Sequence, residues 1–94
     1  MNLTIEFAMR TAELIAIAKI RSGKEQQQMA AEMGISASRL SAVAKGKLQP
    51  NASEVAYLAQ QAQTDPLRAI ADIETEREPK FAPIWQRLLH AANS

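Results

Sequence analysis

Residues 29–47, MAAEMGISASRLSAVAKGK, set one glycine between two alanine-rich runs that both carry helical spacing. Glycine costs roughly 0.5–1 kcal/mol relative to alanine inside a helix. At position 34 it therefore marks a sharp turn between two helices, and the small side chains on either side let those helices approach closely. Counted from Gln26, Ala30 is fifth, Gly34 ninth, Leu40 fifteenth and Val43 eighteenth. Two steeply crossed helices need those features in that order. They need a small residue at the crossing, a backbone reversal with positive φ, and apolar anchors on the second helix.

The rest of the chain falls into helices around this unit. Phe7, Thr11, Leu14, Ile15 and Ala18 recur at three- and four-residue steps, which predicts a first helix from about Thr4 to Ile20. Ser22-Gly23 ends it. Glu25 lies three residues after Ser22, so SGKE reads as a capping box opening a helix over 26–33 that buries Met29, Ala30 and Met33. Ser36 is a good N-cap for a helix to about Lys45, with Leu40 and Val43 inward beside Ile35, and Gly46 suits a left-handed C-cap.

After the loop KLQPN, Asn51 and Glu54 signal a helix over 51–63 that turns Val55, Leu58, Ala59 and Ala62 inward. Asp65-Pro66 opens another to about Arg77, burying Leu67, Ile70 and Ile73. A last helix starts near Pro83 with Ile84, Trp85, Leu88 and Leu89 as its apolar stripe. Three glycines, four prolines and few β-branched runs fit an all-α fold. A length of 94 residues fits one domain: a core over 1–66 and a helical extension over 67–94.

The net charge of +1 argues little about partners, but its distribution says more. Residues 19–48 hold six basic groups against two acidic ones, whereas residues 49–94 hold four basic against six acidic. An electrostatic footprint is thus local to the middle of the chain, if it is more than ordinary solvated surface. No apolar stretch is long enough to span a bilayer. The opening MNLTIEFAMR carries Glu6 and lacks the basic start of a secretory signal, and cysteine is absent. The expected location is the cytoplasm.

Spacing of this kind is that of a helix-turn-helix. QQQMAAEMGISASRLSAVAKGKLQP resembles the motif of Cro/C1-repressor (XRE-type) DNA-binding proteins, and the resemblance extends over about residues 5–70. It implies a lambda-repressor-like bundle of about five helices plus a C-terminal helix. The tail, TDPLRAIADIETEREPKFAPIWQRLLHAA, resembles the small helix-turn-helix proteins of filamentous phages and prophages. Carried over residue by residue, the resemblance places Gln26 and Gln27 at phosphate-holding positions and Ser36 at a capping and backbone-contact position. Ala37, Ser38 and Ala42 match positions that face base edges in the major groove, and Lys45 and Lys47 match the loop against neighbouring phosphates.

This chain departs from a strong base-reading set. Ala37 and Ala42 offer only methyl groups, suited to apolar contact with thymine, and Arg39 is the one long donor on the helix, able to reach guanine, a phosphate or neither. The resemblance implies a sequence-specific double-stranded DNA-binding transcriptional regulator. The resemblance implies further that the motif at 26–45 serves a homodimeric phage or prophage repressor that occupies an operator on the nucleoid. The competing expectation is a protein-interaction adaptor that keeps the frame and acts through residues 66–92. Ile84, Trp85, Leu88 and Leu89 are either a cap on the core or a dimer or partner surface. His90 stands alone without a cysteine or second histidine, and no phosphate loop, nucleophile pair or carboxylate cluster is legible. No enzyme, metal or cofactor is expected.

Overall fold

The computed structural model describes residues 11–93, and every element in that range is helical. The helices are α1 (Thr11–Ser22), α2 (Gln26–Met33), α3 (Ala37–Ala44), α4 (Ala52–Gln61), α5 (Pro66–Arg77) and α6 (Ala82–Asn93). A single 3-10 turn, Pro79–Phe81, joins α5 to α6. The fold is a small all-α bundle, as the sequence predicts. The expected beginning of the first helix, including Thr4 and Phe7, lies outside the described residues.

Each junction has a local cause. At Gly34, φ is +73° and ψ is 25°, and the Ile35 amide donates back to the Ala30 carbonyl at 3.0 Å, which closes α2 with a left-handed turn. A Cβ added at Gly34 meets no atom within 4 Å, so the requirement for glycine is conformational and not steric crowding. Gly34→Ala is therefore expected to cost about 1 kcal/mol, through the backbone alone. Urea unfolding measures it directly, and an unchanged midpoint would show that the turn tolerates a side chain. Ser36 caps α3 by accepting from the Arg39 amide at 3.0 Å. Asp65 caps α5, with Pro66 in the first turn where its missing N–H is harmless.

The SGKE capping box does not form. α1 runs on through Ser22, so Ser22 has helical backbone and is not an N-cap; its Oγ accepts from the Lys24 amide at 3.0 Å. Gly23 then turns left-handed at φ +73°, and Glu25 becomes the N-cap of α2 without a capping side-chain bond. The chain's signal there was a helix ending, not a helix beginning.

One core holds the bundle together. Leu14, Ile15 and Ala18 of α1, Met29 and Ala30 of α2, Leu40 and Val43 of α3, and Val55, Leu58 and Ala59 of α4 are buried against one another. Ala62 joins them just past the end of α4, and α5 adds Ala69 and Ile73. Met33 and Ile70 are partly buried but pack against this core, and Ile73 lies in it, whereas Leu67 is partly buried outside it and Ala69 takes an inner place that the sequence does not predict. α4 packs on both α1 and α5, α3 on α1 and α2, and α6 on α5.

The expected extension from residue 67 thus divides. α5 belongs to the core, whereas α6 contributes no buried side chain among the described residues. At the far side of α2, the Glu32 carboxylate accepts from the Tyr57 hydroxyl and from Lys24 Nζ, at 2.8 Å for the lysine, which ties α2 to α4. Partial burial, with this carboxylate acceptor beside it, raises the Tyr57 hydroxyl well above the ordinary phenol range.

Candidate nucleic-acid interface

α3 turns Leu40 and Val43 into the core and leaves its other side in solvent. Helical spacing then puts Ala37, Ser38, Ser41 and Ala42 on the outer side, followed by the turn that carries Lys45, Gly46 and Lys47. Six of these residues, Ala37, Ser38, Ser41, Ala42, Lys45 and Lys47, line one open concavity of about 400 Å³. Gly46 adopts φ +77°, and the amides of Lys47 and Leu48 return to the Ala42 carbonyl at 2.9 and 3.4 Å. That turn folds the two lysines back beside α3 instead of carrying them away. Both are exposed, and neither pairs with a carboxylate among the described residues.

The nine expected contact residues separate into groups. Ala37, Ser38, Ala42, Lys45 and Lys47 come together in the concavity, and Ser41, which the sequence reading passed over, sits among them. Its signal was available: Ser41 is three residues after Ser38 and four after Ala37, on the same helical face. Gln26 and Gln27 occupy the first turn of α2, half-buried and exposed respectively, outside this concavity. Ser36 has its hydroxyl oxygen engaged as the α3 cap.

Arg39 is held by the protein itself. Its Nε donates to Glu54 Oε2 at 2.8 Å and its Nη2 to Glu54 Oε1 at 2.9 Å, a two-pronged pair between α3 and the first turn of α4. Glu54 is only 5% exposed. The same Oε1 accepts from the Asn51 amide at 2.9 Å, while Asn51 Oδ1 accepts from the Glu54 amide at 2.8 Å. Glu54 therefore completes the capping box of α4 and grips the arginine at once. The hydrogen bonds from Arg39, with a smaller contribution from the Asn51 amide, hold the carboxyl below its ordinary range against the opposing effect of burial. Arg39 is correspondingly raised by Glu54.

This pairing changes the local electrostatics. The basic middle of the sequence loses Arg39 to Glu54 and Lys24 to Glu32, at 2.8 Å in both cases. The positive charge left open beside the outer face of α3 belongs to Lys45 and Lys47. A second concavity of about 300 Å³ lies at the end of α3, between Gly46, Leu48 and Gln49 on one side and Ile73, Glu76 and Arg77 of α5 on the other. It brings the carboxyl end of α5 beside the lysine-bearing turn.

The apolar residues expected on the last helix divide between two faces. Ile84 and Leu88 are 51% and 49% exposed, while Trp85 and Leu89 are half-buried. Phe81, 40% exposed, lies in the 3-10 turn just before α6, with Lys80 Nζ 5.1 Å from its ring centroid. Among the described residues, no three potential metal ligands gather, and no helix is long and apolar enough to cross a membrane. No family model matches the chain, and neither the curated proteins nor the solved structures give a match.

Proposed function

We propose that this protein is a sequence-specific double-stranded DNA-binding transcriptional regulator of the helix-turn-helix class, which seats α3 in the major groove. The observation that carries the reading is the concavity on the outer face of α3. An α-helix fits the major groove, and short side chains at 37, 38, 41 and 42 allow its backbone to approach the base edges. Lys45 and Lys47 flank that face at its carboxyl end, where the groove wall offers phosphates. The amides of the first turn of α2 have no side-chain cap and serve as a further phosphate contact, with Gln26 and Gln27 beside them. The likeness to XRE-type and filamentous-phage proteins supports a prophage-encoded repressor. Two copies joined through α6 would place their α3 helices about one helical turn of DNA apart.

Selection of bound duplexes from a random pool, with purified protein at near-physiological salt, tests this directly. An enriched palindrome is expected. Lys45→Ala/Lys47→Ala should weaken binding by about ten-fold or more and reduce the slope of log K against log salt by nearly two. An enriched palindrome whose affinity does not depend on salt would remove the phosphate mechanism.

The second reading is a protein-interaction adaptor, and one observation favours it. Ile84 and Leu88, one helical turn apart, are both about half exposed on a helix with no buried side chain among its described residues. Failure to enrich any duplex, together with loss of partner capture in Ile84→Asp/Leu88→Asp, would move the function to those two residues.

A further inference from the structure

Within the DNA-binding reading, on which it rests, we infer that Arg39 reads no base and holds no phosphate: Arg39 and Glu54 are positioning residues, a pair that stays closed on DNA and sets how α3 and the lysine-bearing turn meet the groove. Three observations carry this. The guanidinium has committed two N–H groups to one carboxylate at 2.8 and 2.9 Å. The carboxylate is 5% exposed, so withdrawing the arginine would leave a buried charge with only the Asn51 amide to satisfy it. An arginine–phosphate contact made at the surface returns little by comparison.

The third observation is topological. Arg39 lies in the first turn of α3 and Glu54 in the first turn of α4, so the pair clamps the two helices joined by residues 45–51. That segment bears Lys45 and Lys47. Glu54 also fixes the Asn51 end of the segment through the capping box. Opening the pair to reach DNA would loosen the turn on which both phosphate-facing lysines depend. Discrimination among bases is then left to Ser38 and Ser41 and to the methyl groups of Ala37 and Ala42.

The test uses nitrogen-15-labelled wild-type protein titrated with a 20-base-pair mixed-sequence duplex. The backbone amides of residues 38–42 and of Lys47 are expected to shift while the Arg39 Nε–Hε correlation keeps its free-state position. Movement of that correlation together with the amides overturns the inference and leaves DNA binding standing. If no amide responds to this duplex or to a pool of random duplexes, the DNA-binding reading fails, and this inference with it.

Variants provide an independent readout. Arg39→Met and Arg39→Lys should both weaken binding by about ten-fold with the salt slope unchanged, because lysine keeps the charge but cannot make the two-pronged pair. Rescue by Arg39→Lys, or a slope reduced by about 0.9 in Arg39→Met, would assign Arg39 to a phosphate and overturn the inference.

Discussion

Leu40→Ala is expected to lower the unfolding free energy by about 2–5 kcal/mol, and Tm by roughly 10–30 °C for a domain of this size. Leu40 is 1% exposed and is the largest side chain that α3 sends into the core, which it shares with Leu14, Met29 and Leu58. Much of that core is alanine, at 18, 30, 59, 62 and 69, and alanine has no rotamer with which to close a cavity. Met29 is the flexible neighbour able to fill part of the space, which favours the lower half of the range. Domains of this kind are stable by only about 5–15 kcal/mol, so the variant sits near the edge of folding. Urea and thermal unfolding followed by circular dichroism measure the loss. A change below about 1 kcal/mol would show that Val43 alone anchors α3.

Glu54→Ala should destabilise the fold by about 2–3 kcal/mol at neutral pH. It removes the arginine pair and half of the α4 capping box together. The full cost of breaking a buried ion pair is not expected, because the Arg39 side chain is 34% exposed and regains water. The pH dependence has a definite sign. The Glu54 carboxyl is held below its ordinary value in the folded protein, chiefly by the Arg39 hydrogen bonds. Its contribution is thus fully present above the unfolded carboxylate range, near pH ~4.3, and is lost as pH falls through the lower folded value. The stability gap between wild type and Glu54→Ala should therefore be widest at pH 7 and narrow toward pH 2–3. A gap that stays constant over that range would mean that packing, and not charge, is what the substitution removes.

Much of the architecture is legible because local chemistry decides it. Glycine at a left-handed position, serine, asparagine and aspartate at helix starts, and apolar residues at three- and four-residue steps all act over a few residues. Gly34, Ser36, Asn51-Glu54 and Asp65-Pro66 behave as their neighbours in the sequence require. SGKE misleads for the same reason. A capping box and a helix ending in Ser-Gly look alike locally; here the Gly23 amide returns to the Lys19 carbonyl at 3.0 Å and Gly23 turns left-handed, so α1 runs through Ser22.

The outer face of α3 is legible too, since helical spacing alone separates Leu40 and Val43 from Ala37, Ser38, Ser41 and Ala42. The return of the lysines follows from the Gly46 turn. The role of Arg39 does not. Its partner lies fifteen residues further on, across a loop, in a position whose local pattern already had a sufficient explanation as part of a cap. Nothing in the spacing says that one carboxylate serves both.

The sequence by itself determined six helical segments, the sharp turn at Gly34 and the apolar anchors of α3, because these follow from backbone preference and periodicity within a few residues. Only the tertiary structure decided which charges remain open. It closed Arg39 on Glu54 and Lys24 on Glu32, left Lys45 and Lys47 beside the exposed face, and divided the last helix into a half-buried and an open side. Pairing and burial depend on which elements meet in space, and a linear pattern fixes the elements without fixing those meetings.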